Sequence, residues 1–373
     1  MIRFIAALML LAPPMAGQQI YDLLLKNGQV IDSVNHRNGR FDVAVIGNKI
    51  ARVARDLPAS QARMVIDASQ YYVTAGLIDI NARFSAHHPD RGVLPDTRCL
   101  PNGVTTAVDA GTRTWQTFEA FKSSVIDRSK TRVLSFLNIG PAGDAAETAR
   151  MVRQYPQAII GVFAASSVDL AVKAGELSNS IVMADFEAIA SSEALNRLRP
   201  GDIITHIYAK NPQVWVEPAR KRGILFDGGY SSRGFSFSVA VPAIRQGLVP
   251  DTISSGMENS ENVLPLAGMM DSMSKLLNMG MSVEQIIDRA TANPARAIRR
   301  PDLGTLSGGA VADIALLEVQ RGRFGFLDSS QAKLVGDKRL GCVLTVRNGA
   351  ILWDSEGLAA TDWIKAGPYS NYK

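Results

Sequence analysis

The sequence predicts a (β/α)8 TIM barrel, an α/β fold, joined to a small β-sandwich domain that both chain ends build. Short apolar runs that favour strands begin near residues 76, 104, 132, 159, 180, 202, 223 and 251. Amphipathic helical patterns such as AETARMVRQY separate these runs. Near the chain ends, alternating apolar residues flank two-residue turns, which is typical of hairpins, at Asn27-Gly28, Gly47-Asn48 and Asn348-Gly349.

The eight central runs are continuously apolar, which indicates parallel strands that helices cover. Eight strand-helix units fit a closed barrel. A doubly wound open sheet is the main alternative, but the Gly-rich phosphate-binding loop expected after its first strand is absent. We therefore expect the barrel over residues 76–307 and the β-sandwich over residues 20–75 and 308–373.

Composition excludes several classes of protein. The chain has 373 residues, of which 46% are hydrophobic, so it is long and apolar enough to bury a large core. Its net charge of +5 comes from 40 basic and 35 acidic residues without a basic run, so we expect no nucleic-acid partner. Cys99 and Cys342 are too few for a disulfide framework; we expect two buried thiols, with one disulfide as the alternative.

The first residues have the pattern of a secretory signal. Arg3 precedes an apolar run from Phe4 to Ala12, and small residues follow at Ala16 and Gly17. The run is too short to span a bilayer, and no later stretch reaches the roughly 18 apolar residues that a span needs. We therefore predict a signal peptide over residues 1–17, export to the periplasm or the extracellular space, and no membrane span.

Candidate site residues are those that end the apolar runs, because the chemistry of a (β/α)8 barrel lies at the carboxyl ends of its strands. Asp109 and Asp227 are possible acids or bases, although strand-end aspartates also commonly cap helices or bind loop amides. The candidate catalytic residues are Asp185, His206 and Asp227, and the candidate pocket residues are Asn81, Arg83, Asp109, Asn138, Phe163, Tyr230 and Glu258.

Several segments together resemble the amidohydrolase superfamily, in particular its dihydroorotase-like and N-acyl deacetylase-like branch. They are YDLLLKNGQVID, NGVTTAVDAG, TANPARAI, LGTLSGGAVADIALLEV and RLGCVLTVRNGAILWD. The resemblance implies a hydrolase with one or two divalent metals at the barrel mouth, which activate water and polarise the amide carbonyl. It also implies their ligands: a His-x-His pair on strand one, a carboxylated lysine on strand four, histidines on strands five and six, and an aspartate on strand eight.

Most of these ligands are missing from the sequence. Asn81 and Arg83 occupy the His-x-His positions, and a guanidinium has no lone pair to offer a metal. Phe163 stands where the resemblance places the bridging lysine, and Gly256 stands where it places the aspartate. His206 is retained on strand six. The resemblance therefore predicts the scaffold of a metalloenzyme without most of its ligands.

Two further substitutions fit the same trend. Asp185 falls near the histidine position of strand five, and Tyr230 stands where close relatives carry a histidine. We hypothesise that Arg83 pairs with Asp185 and hydrogen-bonds Asn81, which replaces a metal-carboxylate network by an ionic one. His206 is then a hydrogen-bonded core histidine rather than a general base or a metal ligand.

Two functions follow from this pattern. The first is a homologue with a degenerate metal centre, which has no cofactor and binds a small molecule or a partner. The alternative is an active hydrolase of N-acyl or cyclic amide bonds that uses zinc or another divalent metal at a rebuilt site of Asp185, His206 and Glu258, with His87 or His88 as additional ligands. Relatives of this fold are often oligomers, and a homo-oligomer is suggested by that analogy alone.

Overall fold

The computed structural model describes residues 21–84, 94–189, 191–209, 216–230, 234–257 and 268–365. Within these ranges the chain forms an eight-stranded, mainly antiparallel sheet and a seven-stranded parallel sheet. The predicted signal at residues 1–17 lies outside the described residues, so export stays a prediction. No helix in the described ranges is long and apolar enough to cross a membrane.

The first five strands belong to the eight-stranded sheet. They are β1 (Tyr21–Asp32), β2 (Arg37–Ile46), β3 (Lys49–Ala54), β4 (Ala62–Asp67) and β5 (Tyr72–Ala75). Strand β1 is central, because it pairs antiparallel with β2 and parallel with both β4 and β5. The turn predicted at Gly47-Asn48 is confirmed and connects β2 to β3.

The hairpin turn predicted at Asn27-Gly28 is wrong, because both residues lie inside β1. The register with β2 shifts at this point, and Asn27 has a φ of +61°, so the pair forms a bulge. The Asn27 amide donates to Asp42 Oδ1 at 2.7 Å, which holds the bulge against β2. A Cβ atom on Gly28 would lie 2.3 Å from Val73 Cγ2, so glycine here allows close packing with β5 instead of a turn.

The barrel contains seven parallel strands that neighbour one another in chain order. They are β6 (Leu77–Ala82), β7 (Val104–Arg113), β8 (Arg132–Asn138), β9 (Ile159–Ala164), β10 (Ile181–Asp185), β11 (Ile203–Thr205) and β12 (Leu225–Phe226). The eighth apolar run forms an extended segment between β12 and β6. Thr252 makes a parallel bridge to Asp227, and the Gly256 amide donates to the Asn81 carbonyl at 2.9 Å. The predicted (β/α)8 barrel is therefore confirmed, with an irregular eighth strand.

Ten helices are described, and those between the strands turn an apolar side to the parallel sheet. On α3, for example, Ala149 and Val152 are buried, and the Asp144 side chain caps the first turn by accepting from the amides of Ala146 and Glu147. The helices are α1 (Pro95–Cys99), α2 (Phe118–Ser124), α3 (Ala145–Gln154), α4 (Val168–Ser178), α5 (Ser192–Arg197), α6 (Val216–Lys221), α7 (Phe237–Arg245), α8 (Met269–Asn278), α9 (Val283–Ala290) and α10 (Ala292–Ala297).

The chain returns to the first sheet after the barrel, through β13 (Ile314–Leu327), β14 (Lys333–Arg347) and β15 (Ala350–Asp354). The strand order is β15-β14-β13-β5-β1-β2-β3, with β4 also on β1, so the two chain ends meet where β13 pairs with β5. The predicted β-sandwich takes the form of one hydrogen-bonded sheet that branches at β1. The turn at Asn348-Gly349 is confirmed, and Cys99 and Cys342 are free, buried thiols.

Candidate functional site

His206 lies at the barrel mouth, directly after β11, and both of its ring nitrogens have protein partners. Nδ1 is 3.1 Å from Asp185 Oδ2, at the end of β10, and Nε2 is 3.1 Å from Asn81 Nδ2, on β6. An amide nitrogen only donates, so Nε2 accepts from Asn81 while Nδ1 carries the proton and donates to Asp185. The Nε2 lone pair, which a metal would need, is therefore used by an amide.

The orientation of the Asn81 amide follows from its second partner. Nδ2 also donates to Thr205 Oγ1 at 2.8 Å, and that hydroxyl in turn donates to Asp227 Oδ2 at 2.8 Å. Because the Thr205 proton is directed to the carboxylate, its oxygen is an acceptor for Asn81. Asn81 itself is fully buried, and no residue in the described ranges donates to its Oδ1 atom.

Asp227, a candidate catalytic residue, is fully buried. Its carboxylate accepts from the hydroxyls of Thr205, Thr252 and Ser254 and from the Gly229 amide. Burial raises the pKa of Asp227, while the three hydroxyls oppose that shift. The three hydroxyls come from β11 and from the segment that closes the barrel, and the amide comes from the loop after β12. These contacts support a role in closing the barrel rather than in acid-base chemistry.

Asp109 is likewise buried at the end of the β6–β7 pair. It accepts from the Phe84 amide at 3.0 Å and from the Thr112 hydroxyl, which fits the loop-binding interpretation of a strand-end aspartate. Burial raises the pKa of Asp109 to about 6, and hydrogen bonds from Thr112 and Phe84 limit the shift.

Arg83 and Asp185 form the ion pair that the sequence predicts. Arg83 Nη2 lies 3.9 Å from Asp185 Oδ2, and the two side chains are 30% and 16% exposed. Burial by itself raises the pKa of Asp185, but the hydrogen bond and charge of His206, the Glu187 amide and Arg83 together bring that pKa below its ordinary value. The predicted hydrogen bond from Arg83 to Asn81 is wrong, because the amide of Asn81 donates to Thr205 and His206 and its Oδ1 atom accepts from no described residue.

Phe163, at the end of β9, fills the place that the resemblance gives to a bridging lysine. Its ring is buried in the cluster that fills the barrel interior, together with Ile80, Val108 and Phe136. A Cβ atom on Gly111 would lie 2.4 Å from the Phe163 ring, so β7 passes close to it. An aromatic ring offers a metal no lone pair, and it seals the barrel interior below the mouth.

Two other positions contribute backbone or amide groups. Gly256 donates its amide to the Asn81 carbonyl and has no side chain to replace the strand-eight aspartate. Asn138, at the end of β8, has a buried Oδ1 atom to which no described residue donates. Glu258, His87 and His88 lie outside the described residues, so the rebuilt metal site stays a prediction.

Tyr230 packs against a buried lysine that the sequence analysis did not identify. Lys275 Nζ lies 4.0 Å from the centre of the Tyr230 ring and 5.9 Å from that of Phe235, and it contacts Asp271 Oδ2 at 2.7 Å. The sequence feature that could have predicted this ion pair is the spacing of Asp271 and Lys275, which are four residues apart in an otherwise apolar helix.

The described residues at the mouth do not fit the metal centre that the resemblance implies. Of the side chains described at its ligand positions, those of His206 and Asp185 are the imidazole and carboxylate types that zinc prefers, and they are hydrogen-bonded to each other. In the described part of the chain, no group of three or more His, Cys, Asp or Glu side chains could hold a metal ion. Arg83, Phe163 and Gly256 supply no ligand.

Known proteins of similar sequence and structure bear on the family of this chain. The family model described as "Amidohydrolase family" matches residues 240–351. A deacetylase of Brucella anthropi is 26% identical over 82% of this chain and 86% of its own length. A deacetylase of Enterococcus faecalis is also 26% identical, over 89% of this chain and 99% of its own length.

Solved structures also resemble this chain in fold. The crystal structure of an adenine deaminase superposes with a TM-score of 0.79 at 26% identity, and that of a dihydroorotase with 0.78 at 26% identity. Each alignment covers 89% of this chain and 99% of the other. The family match over residues 240–351, the sequence similarity and the fold together support the amidohydrolase superfamily as the family of this chain.

Proposed function

We propose that this protein does not perform metal-dependent hydrolysis and that its barrel mouth binds a small acidic ligand without a metal. The observation that carries the proposal is the state of His206. Its Nδ1 atom donates to Asp185 and its Nε2 atom accepts from Asn81, so the retained histidine of the family pattern has no lone pair left for a metal.

Arg83 takes the place of the metal as the positive charge of the site. Its guanidinium is a permanent, planar cation with five N–H donors; it already contacts Asp185, and its geometry suits bidentate binding of a carboxylate or phosphate. The side chain is 30% exposed at the mouth, within reach of a ligand. The buried Oδ1 atom of Asn81 is an acceptor that a polar hydrogen of the ligand would satisfy.

Elemental analysis tests the loss of the metal. The full-length protein, purified without chelator and then incubated with zinc and dialysed, should hold well below one equivalent of any divalent metal. The His206→Ala variant should hold the same low amount. One or two equivalents in the wild type that disappear in His206→Ala would overturn the proposal.

Ligand binding needs a separate measurement. A panel of small carboxylic and phosphorylated acids is screened by thermal shift on the wild type and on Arg83→Gln. At least one acid should raise the melting temperature of the wild type, and the increase should be lost in Arg83→Gln. If no acid stabilises the wild type, or if Arg83→Gln responds as strongly as the wild type, the barrel mouth is not an acid-binding site.

The similarity to deacetylases supports a competing function, the hydrolysis of N-acyl or cyclic amides at a rebuilt mononuclear site. Asp185, His206 and Glu258 would hold the metal there. In that case the zinc-treated protein would bind stoichiometric metal and release carboxylate from N-acyl amino acids. The variants Asp185→Asn and His206→Ala would lose both properties together, which a metal-free binding site does not predict.

A further inference from the structure

A cavity that is separate from the barrel mouth lies between the eight-stranded sheet and the helices α8 and α9. Its volume is about 360 Å³, and none of its lining residues belongs to the barrel-mouth site. Arg321 and Lys338 line one side, and no carboxylate side chain of the described residues lines it. The cavity is therefore large enough for a small molecule, and its charged groups are cationic.

Arg321 and Lys338 stand directly opposite each other in the β13–β14 ladder. Side chains at directly opposed positions lie on the same face of a sheet, and like charges there destabilise the pair. No ion pair with a described residue compensates either charge. An anion placed between the two side chains would remove this repulsion and make charge-assisted hydrogen bonds to both.

Asn278, at the end of α8, fixes the backbone around Lys338. Its Oδ1 atom accepts from the amides of Asp337 and Lys338 at 3.0 and 3.2 Å, and its Nδ2 atom donates to the Lys338 carbonyl at 2.7 Å. A Cβ atom on Gly336 would lie 2.2 Å from Asn278 Oδ1, so the hairpin packs tightly on the helix. The backbone that carries Lys338 is therefore held in place before any ligand arrives, which lowers the entropic cost of binding.

The floor of the cavity is apolar. Leu277 from α8 and Met281 from the connection between α8 and α9 line it together with Val319 from β13, next to the two cations. We propose that this cavity binds a small molecule with an anionic head, a carboxylate or a phosphate, and a short apolar body. The head lies between Arg321 and Lys338, and the body lies against the three apolar side chains.

Isothermal titration calorimetry on the full-length protein at low salt tests the proposal, with butyrate in one arm and inorganic phosphate in the other. At least one probe should bind the wild type, and the arm that binds identifies the preferred anion. The double variant Arg321→Gln/Lys338→Gln should bind roughly tenfold more weakly or not at all, because it loses two charge-assisted hydrogen bonds.

The matched control is Arg323→Gln/Lys333→Gln, which removes the same charge from exposed positions of the same hairpin that do not line the cavity. This control should bind like the wild type. Without a probe, Lys338→Gln should melt at a higher temperature than the wild type, because the repulsion is gone. Absence of binding by the wild type to both probes, or an equal loss in the control, would overturn the proposal.

Discussion

Asn81 makes two hydrogen bonds with one amino group, to Thr205 and to His206. Asn81→Ala would leave Thr205 Oγ1 and His206 Nε2 buried without that donor, so we expect the free energy of unfolding to fall by about 1–3 kcal/mol. Urea denaturation followed by circular dichroism measures this change. Asn196→Ala, at an exposed position of α5, is the control and should stay within about 0.5 kcal/mol of the wild type. Equal effects of both substitutions would contradict the prediction.

Asp79, two residues before Asn81, predicts a pH dependence of stability. It is fully buried, it accepts from the amide and the hydroxyl of Ser255, and burial raises its pKa to about 7. The unfolded chain loses this proton near pH 4, whereas the folded chain keeps it until near pH 7. The stabilisation is therefore complete below pH 4 and is lost as the pH rises through about 7, by at most about 4 kcal/mol.

Asp79→Asn keeps the size of the side chain and removes the titration. We expect the free energy of unfolding of this variant to fall less between pH 4 and pH 7 than that of the wild type, as measured by urea denaturation at several pH values. Asp109→Asn is an internal comparison, since the pKa of Asp109 is raised only to about 6 and its effect should be smaller. Identical pH profiles of Asp79→Asn and the wild type would show that Asp79 is ionised in the folded protein at pH 4.

Among the elements, α8 is a largely apolar helix that contains a buried charge, the ammonium of Lys275. Its charge is compensated by Asp271 at 2.7 Å and by the faces of two aromatic rings. Asp271→Asn removes the carboxylate and leaves the ammonium, so we expect the free energy of unfolding to fall by about 3 kcal/mol. Replacing the lysine as well, in Asp271→Asn/Lys275→Met, should recover most of that loss. Urea denaturation of both variants checks this, and a double variant no more stable than Asp271→Asn would refute the argument.

The strands were predictable where a run of neighbouring apolar residues defines them. Each of the first seven central apolar runs became a barrel strand, because an apolar run between two helices can be buried only in a sheet that helices cover. The eighth run and Asn27-Gly28 departed from the prediction for tertiary reasons. Residues 252–257 are shaped by hydroxyl and amide bonds to Asp227 and Asp79, and Gly28 is needed for contact with Val73. Neither contact can be read from neighbouring residues.

In the candidate site, too, some features were predictable from the order of the strands and others depend on tertiary contacts. Strand ends can be counted along the sequence, so the proximity of Asp185, His206 and Arg83 was predictable from the barrel alone. The amide of Asn81 was expected to bond Arg83 but bonds His206, since hydrogen-bond geometry depends on side-chain direction rather than on order along the chain. The sequence alone showed which metal ligands are replaced. Only the structure shows that the lone pair of His206 Nε2 accepts a hydrogen bond from Asn81.

At the scale of the whole molecule, two turns from opposite ends of the chain meet in one sheet. Asn48 Nδ2 donates to Asn348 Oδ1 at 3.3 Å, and the Gly349 amide donates to the Ala312 carbonyl at 2.9 Å. Asn348 and Gly349 have φ values of +54° and +82°, so both central residues of this turn are left-handed. The β2–β3 and β14–β15 turns therefore make a second contact between the two ends of the chain, in addition to the pairing of β13 with β5.

Glycine substitutions in these two turns measure how much that contact contributes. A Cβ atom on Gly349 would lie 2.0 Å from the Gly47 carbonyl oxygen, whereas one on Gly47 would meet no heavy atom within 4 Å. Both glycines have positive φ, so each alanine variant loses about 1 kcal/mol from backbone strain alone. Gly349→Ala must also push the turns apart, so we expect its free energy of unfolding to be lower than that of Gly47→Ala by a further 1–3 kcal/mol, roughly. Equal stability of the two variants in urea denaturation would mean that the contact between the chain ends adds nothing to the stability of the sheet.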